Sequence, residues 1–163
     1  MLTVGILTIS DKGWRGERQD RSGDVVREVL SGIDAQIANY DIIPDEKELI
    51  AEKLIKWTDK DRVDIIITTG GTGLSPRDVT PEATLSVVDR VVPGFAEAMR
   101  LASLKKTPHA MLSRAVVGTR GQCLIINLPG SPKAVRECLE VVLPALPHAM
   151  ETLKEQASEC GTP

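Results

Sequence analysis

Aromatic side chains are scarce, with two tryptophans, one tyrosine and one phenylalanine in 163 residues. So few rings give bases little to stack on, and a formal net charge of −3 supplies no basic surface, so nucleic-acid binding is not expected. Cysteine is sparse as well. Cys123, Cys138 and Cys160 are odd in number and form no Cys-x-x-Cys pair, which indicates neither a disulfide framework nor a zinc site. Cys123 and Cys138 read as small buried apolar residues. The two histidines, His109 and His148, stand far apart with no nucleophile pattern beside them, and local structural roles are expected for both. No apolar run is long enough to cross a bilayer, and no basic head precedes an apolar stretch at the N-terminus. A cytoplasmic location without membrane contact is the expectation.

What is present alternates between strand and helix. Leu2 to Ile9 reads as a first strand, followed by a polar loop, SDKGWRGERQDRSG, and a helix from about Gly23 to Leu30 with Val25, Val26, Val29 and Leu30 as its apolar stripe, stopped by Gly32. Ala35 to Ile43 makes a second strand. A helix starting near Glu46, with Leu49, Ile50, Leu54 and Trp57 facing inward, leads to a third strand at Val63 to Thr69. Helices near Pro81 to Val88 and Gly94 to Leu104 follow. Two β-rich stretches around Ala115 to Val117 and Gln122 to Asn127 flank Gly118-Thr119-Arg120-Gly121, which reads as a hairpin loop. Strands linked through helices pair in parallel by right-handed crossovers. The expected fold is therefore α/β: one three-layer α/β/α domain over residues 1–157, with a mostly parallel central sheet, a late β-hairpin and a frayed tail at 158–163.

The chemistry concentrates in VDIIITTGGTGLSPRDVTPEAT. Gly70, Gly71 and Gly73 follow a buried strand, and their bare backbone N–H groups, with that of Thr72, can close around a bulky anion. The loop lacks the third glycine of a dinucleotide fingerprint and the Gly-Lys-Ser/Thr ending of a Walker loop. GGTG alone is read equally well as an unliganded strand-to-helix turn. Asp78 shifts that balance, since Thr80 and Pro81 already serve as N-cap and first turn of the next helix and leave the carboxylate free. A hard carboxylate beside a phosphate cradle suits Mg²⁺. Pro129-Gly130-Ser131-Pro132-Lys133 offers a second anion-holding helix start, with a plain capped helix as the competing reading. Ligands of open parallel sheets collect at the carboxyl ends of strands. Ser10 and Asp11, Asp45, the glycines with Asp78, and the segment after Asn127 all lie at such ends. Two phosphate-bearing ligands side by side are the simplest chemistry to use both cradles.

The SD…DRSG opening (Ser10, Asp11, Asp20 to Gly23), IIPDE (Ile42 to Glu46), TTGGTGLSPRDVTPEAT, PGFAEAMR, TPHAMLSR and LIINLPGSPKAV occur in an order that resembles the molybdopterin adenylyltransferases, the family of the bacterial Mog proteins and the G domain of gephyrin. The likeness runs to the helix at Ala145 to Leu153. It implies an enzyme that transfers AMP from MgATP to the terminal phosphate of molybdopterin and releases pyrophosphate. MoaB-like relatives share the glycine loop, so a non-catalytic molybdopterin-binding or scaffold protein is the alternative.

By the same resemblance, Asp45 and Asp78 are the catalytic, Mg²⁺-holding aspartates. For Asp45 the local pattern Asp45-x-x-Glu48 also reads as a capping box. Gly70, Gly71, Thr72 and Gly73 would hold ATP phosphates, and Ser113 would contact the pterin-side phosphate. Ser10, Asp11, Asp20 and Ser22 would line the mouth, and Pro129, Gly130, Ser131 and Lys133 would bind the second anion. The resemblance also implies a homotrimer and, because the chain stops after its last helix, a separate molybdenum-insertion protein. Leu101 and Leu104 offer an extra apolar face, for which core packing is the preferred reading.

Overall fold

The computed structural model describes residues 1–155. The expected tail at 158–163, and Cys160 within it, lie outside the described residues. A six-stranded sheet runs in the order β2-β1-β3-β6-β5-β4, built from β1 (Leu2–Ile9), β2 (Ala35–Ile43), β3 (Ile65–Thr69), β4 (Arg90–Val91), β5 (Val117–Arg120) and β6 (Cys123–Leu128). β1, β2, β3 and β6 are mutually parallel, while β5 is antiparallel to both β6 and β4. This is the mixed sheet expected from the sequence, with helices on both faces.

The layers follow from side-chain alternation. In β3 every residue is buried, with Ile65 and Ile67 on one face and Ile66 on the other, the pattern of a strand covered from both sides. The first face carries Val4, Ile6, Ile65, Ile67, Leu124 and Ile126 against α2 (Arg21–Leu30), α5 (Pro93–Leu104), α6 (Pro132–Val142) and α7 (Leu146–Leu153). The second packs Leu7, Ile9, Ile66 and Ile125 against α3 (Lys47–Ile55), α4 (Thr80–Val87) and Trp57 of a single π-helical stretch, Lys56–Lys60. Each fully buried Ile contributes roughly 1.5–3 kcal/mol. Among the described residues no helix is long and apolar enough to cross a membrane.

Local details differ from the sequence reading. The polar loop after β1 contains a four-residue helix, α1 (Asp11–Trp14), because Ser10 Oγ accepts from Gly13 N–H and starts a turn. Gly118, Thr119 and Arg120 belong to β5 and not to the hairpin loop. Gly118 and Thr119 are held on both sides, by β6 and by the two-residue β4, Arg120 pairs with Cys123 of β6 alone, and the turn falls at Gly121 and Gln122. Leu49 points outward at 40% exposure, and Leu101 and Leu104, at 64% and 39%, are surface rather than core residues.

The chain leaves β1 for β2 on one side and returns through α3 to β3 on the other. Ser10 and Gly70 therefore follow adjacent parallel strands at the point where the winding reverses, where such sheets open a crevice.

Candidate active site

Gly70 and Gly71 have φ of +91° and +67°, a region in which a side chain is strained. Space forbids one too. A Cβ on Gly70 would collide with the Ile9 carbonyl, and one on Gly71 would collide with Thr80 Oγ1 and lie 3.1 Å from Asp45 Oδ1. Thr80 is not the N-cap of α4. It is the first helical residue, fully buried, and its hydroxyl donates to Gly70 O at 3.0 Å while its N–H donates to Gly71 O at 3.1 Å. The glycine loop is thus clamped to the start of α4 by both groups of one threonine.

Asp45 does not close a capping box either. The residue before α3 is Glu46, with no side-chain cap bond. Asp45 interlocks with Asp11 instead: Asp11 N–H donates to Asp45 Oδ2 at 2.9 Å and Asp45 N–H to Asp11 Oδ1 at 3.0 Å. Arg77 straddles the Asp11 carboxylate at 3.0 and 2.9 Å. The electrostatic consequences are opposite for the two acids. Hydrogen bonding from Arg77 holds Asp11 below the usual carboxylate range, against the effect of burial. Asp45 is raised, first by burial and then by repulsion from Asp11 and Asp78, only partly offset by the Asp11 N–H. Asp78 stands across the glycine loop, its Oδ2 accepting from Ser75 N–H at 3.1 Å, and a Cβ on Gly73 would come within 2.9 Å of that oxygen.

Asp20 and Ser22 organise the opposite wall. Asp20 is the N-cap of α2, accepting from Gly23 N–H at 3.0 Å, and its other oxygen accepts from Thr8 Oγ1 and Tyr40 OH at 2.7 Å each. The Tyr40 hydroxyl is pushed up to about 12 by burial and by that carboxylate. Ser22 Oγ donates to Gly130 O at 2.6 Å, tying α2 to the loop before α6. Ser131 Oγ caps α6 through Ala134 N–H at 3.3 Å, as its Ser-Pro pattern predicts.

These elements enclose two adjoining cavities. One, of about 660 Å³, is lined by Ser10, Asp20, Ser22, Asp45, Gly70, Gly71, Asp78, Gly130 and Ser131, with Arg18 and Arg21 on its rim. The other, of about 510 Å³, is lined by Gly71, Thr72, Gly73, Asp78, Ser113, Pro129, Gly130 and Ser131, with Ala96, Met99 and Leu112 as apolar wall and His109 at its edge. Gly71, Asp78, Gly130 and Ser131 form the shared wall. Asp45 and Asp78 face one space. Asp11 and Lys133 line neither cavity, Asp11 being turned toward Arg77 and Lys133 being exposed. Sequence reasoning passed over Arg77, Arg18, Arg21 and Arg114. Arg114 ends the quoted TPHAMLSR stretch, in which only Ser113 was singled out, and it donates to the carbonyls of Gly73 and Asp78 at 2.7 Å each.

Two carboxylates that repel each other across the glycine loop fit a divalent cation. Among the described residues no three His, Cys, Asp or Glu side chains converge, so a cation here would take its remaining oxygens from phosphates and water, as Mg²⁺ does.

Comparison with known proteins identifies the relatives of this chain. The family described as "Probable molybdopterin binding domain" matches residues 5–148. The chain is 47% identical over 152 residues to the molybdopterin adenylyltransferase of Helicobacter pylori (strain J99 / ATCC 700824), covering 92% of this chain and 86% of that protein. It is 43% identical over 145 residues to the molybdopterin adenylyltransferase of Escherichia coli (strain K12), covering 86% and 73%. The crystal structure of the molybdopterin biosynthesis enzyme MoaB from Thermus thermophilus superposes with a TM-score of 0.91 at 57% identity, covering 95% of this chain and 98% of that one. A parallel-sheet crevice lined by two glycine-containing loops, and a family match spanning residues 5–148, lead to one assignment: the chain belongs to the molybdopterin-binding family of molybdenum cofactor biosynthesis.

Proposed function

We propose that the protein is a molybdopterin adenylyltransferase, a nucleotidyltransferase that joins AMP from ATP to the terminal phosphate of molybdopterin. A phosphate oxygen of molybdopterin attacks the α-phosphorus of ATP, the bond from that phosphorus to the bridging oxygen breaks, and pyrophosphate leaves with the electron pair. A phosphate monoester is already anionic near neutral pH, so no protein base is required. The observation that carries this reading is the placement of Asp45 and Asp78 on either side of the glycine loop, in one cavity that shares a wall with a second. Two ligands seated in adjoining cavities would meet with their phosphates at Gly71 and Gly130. Holding nucleophile and phosphorus in line supplies up to ~7–11 kcal/mol of the barrier.

Asp45 and Asp78 would hold Mg²⁺, which when bound neutralises charge on the triphosphate and leaving group. The N–H groups of Gly71, Thr72 and Gly73 would orient phosphate oxygens and stabilise charge developing on them, whereas that of Gly70, expected to join them, already donates to Leu128 O at 3.2 Å. Ser10, Asp20 and Ser22 shape the polar cavity, with Asp11 bracing Asp45 from behind. Pro129, Gly130 and Ser131 would seat the second phosphate beside Ser113, and exposed Lys133 would add long-range attraction. We further place the protein in the cytoplasm, as a homotrimer using the exposed Leu101, Leu104, Met111 and Leu112, and supplying its product to a separate molybdenum-insertion protein.

The test is pyrophosphate release from MgATP with and without molybdopterin. Release that depends on molybdopterin, and falls ~10²-fold or more in Asp45→Asn and in Asp78→Asn, is expected, corresponding to about 2.7 kcal/mol for each carboxylate. Molybdopterin binding without any turnover would establish the non-catalytic alternative, and full turnover in both variants would remove the assigned roles.

A further inference from the structure

We propose that Arg114 is the positioning residue of the nucleotide site, setting the spacing between the glycine loop and Asp78 and thereby the gain in ATP affinity that Mg²⁺ provides. The inference rests on the adenylyltransferase reading and names a residue that touches no ligand in it.

One edge of the Arg114 guanidinium carries two donors, and they end on different parts of the loop: Nε on Gly73 O at 2.7 Å and Nη2 on Asp78 O at 2.7 Å. The Arg114 backbone N–H donates to Thr72 O at 2.8 Å. Nη1, on the other side, pairs with Glu82 on α4. Four donors of one residue thus bind positions 72, 73, 78 and 82: the last two residues of the cradle, the aspartate and the helix that follows. Arg114 lines neither cavity, so its effect on a ligand must pass through the groups it holds.

The segment it spans has little else to fix it. Leu74 is 64% exposed and Ser75 to Arg77 are exposed, so the turn itself has no apolar anchor, and the first one after it is Val79 on the core. Within it, Asp78 N–H donates to Ser75 O at 2.9 Å and Ser75 N–H to the Asp78 carboxylate, which shapes the turn without fixing where it sits relative to Gly73. Arg77 ties the turn to Asp11 from the solvent side. Thr80 ties Gly70 and Gly71 to the start of α4, and inside that frame the Arg114 fork links Gly73 directly to Asp78. A planar guanidinium suits that task and a lysine does not, because an ammonium is a point donor that cannot hold two carbonyls in fixed relation. Glu82 in turn orients the guanidinium, with Oε1 on Nη1 and Oε2 buried without a hydrogen-bond partner among the described residues. The clamp therefore acts on the carboxylate and the cradle as a pair, and the quantity that depends on their pairing is the coupling between cation and phosphate.

The experiment is calorimetric titration of the full chain with ATP, once in Mg²⁺ and once in EDTA, for wild type, Arg114→Lys, Arg114→Met and Glu82→Gln, with circular dichroism as a check on folding. The expected result is that Mg²⁺ strengthens ATP binding to wild type and that this gain shrinks ~10-fold or more in Arg114→Met and in Arg114→Lys, while metal-free ATP affinity changes less than ~3-fold. Glu82→Gln, which loosens the clamp from its far side and keeps the guanidinium, should lose a smaller part of the gain. A gain retained in both Arg114 variants overturns the proposal alone, and so does an equal loss of affinity with and without Mg²⁺, which marks a general structural role. A wild type whose ATP binding gains nothing from Mg²⁺ overturns the metal reading together with the proposal. If Arg114→Met does not fold, Arg114→Lys, which keeps stem and charge, decides between these outcomes.

Discussion

Replacing Gly71 by alanine tests the geometry of the cradle most directly, because the position fails an alanine on two separable grounds. Its φ of +67° places an L-residue in the left-handed region, at about 1–2 kcal/mol. The added methyl also collides with Thr80 Oγ1, and relief requires turning that hydroxyl away from Gly70 O, leaving a buried polar pair unmade at about 1–3 kcal/mol. Together these give a loss of about 2–5 kcal/mol, or roughly 4–20 °C in Tm for a chain of this size. Urea titration monitored by circular dichroism measures it, with Gly94→Ala as control. Gly94 lies exposed in α5 with nothing within 4 Å of its would-be Cβ, so alanine there should be neutral or stabilising by up to about 1 kcal/mol.

The collision is isolated by a double-mutant cycle. Thr80→Ala removes both the hydroxyl in the way and the bond it makes, so Gly71→Ala should cost less in that background by about 1–3 kcal/mol. Costs that simply add, to within about 0.5 kcal/mol, would refute the idea that the methyl and the Thr80 hydroxyl compete for one place. ATP binding should weaken in Gly71→Ala even where the protein remains folded, since Asp45 Oδ1 lies 3.1 Å from the same methyl.

Two further expectations concern stability. Burial alone would raise Asp64, but hydrogen bonds from Lys154 Nζ and from Thr3 N–H and hydroxyl outweigh it, so its folded pKa lies below the ordinary aspartate value. Its stabilisation is therefore complete above the unfolded value of ~3.9 and is lost as pH falls through the folded one. Asp64→Asn should cost about 1–3 kcal/mol at neutral pH, and the gap to wild type should narrow as denaturation is followed below about pH 4, whereas an unchanged gap would rule out this linkage. Ile66→Ala empties a site with 0% exposure beneath Ile50, Leu54 and Trp57, and should cost about 2–5 kcal/mol by urea titration; a loss under 1 kcal/mol would mean that this face repacks.

The parallel sheet was legible because its strands are short β-branched runs bounded by glycine, proline or acid, and because residues buried on both faces cannot alternate in polarity. β4 was not, since two residues, Arg90 and Val91, carry no periodicity and become a strand only by pairing with β5. The same pairing drew Gly118 out of the turn that its sequence suggested. At the site, Ser131 was readable as a cap because capping is local. Asp45 was ambiguous because its partner, Asp11, lies 34 positions earlier and outcompetes the nearby α3. Arg114 left no trace in local pattern, its bonds to Gly73 and Asp78 spanning 41 and 36 positions. Contacts of that separation are supplied by topology and not by neighbouring residues.

The three hydrogen bonds that Asp20 accepts occupy most of its roughly four lone-pair positions, although the residue faces the polar cavity. A mutational scan scored by turnover would rank Asp20→Ala beside Asp45→Ala and suggest that both belong to the chemistry. The first, however, unfastens the beginning of a helix, a strand threonine and a tyrosine from one another, whereas the second removes a carboxylate proposed to hold Mg²⁺. Only a measurement of folding beside that of rate would tell scaffold failure from chemical failure at this pocket.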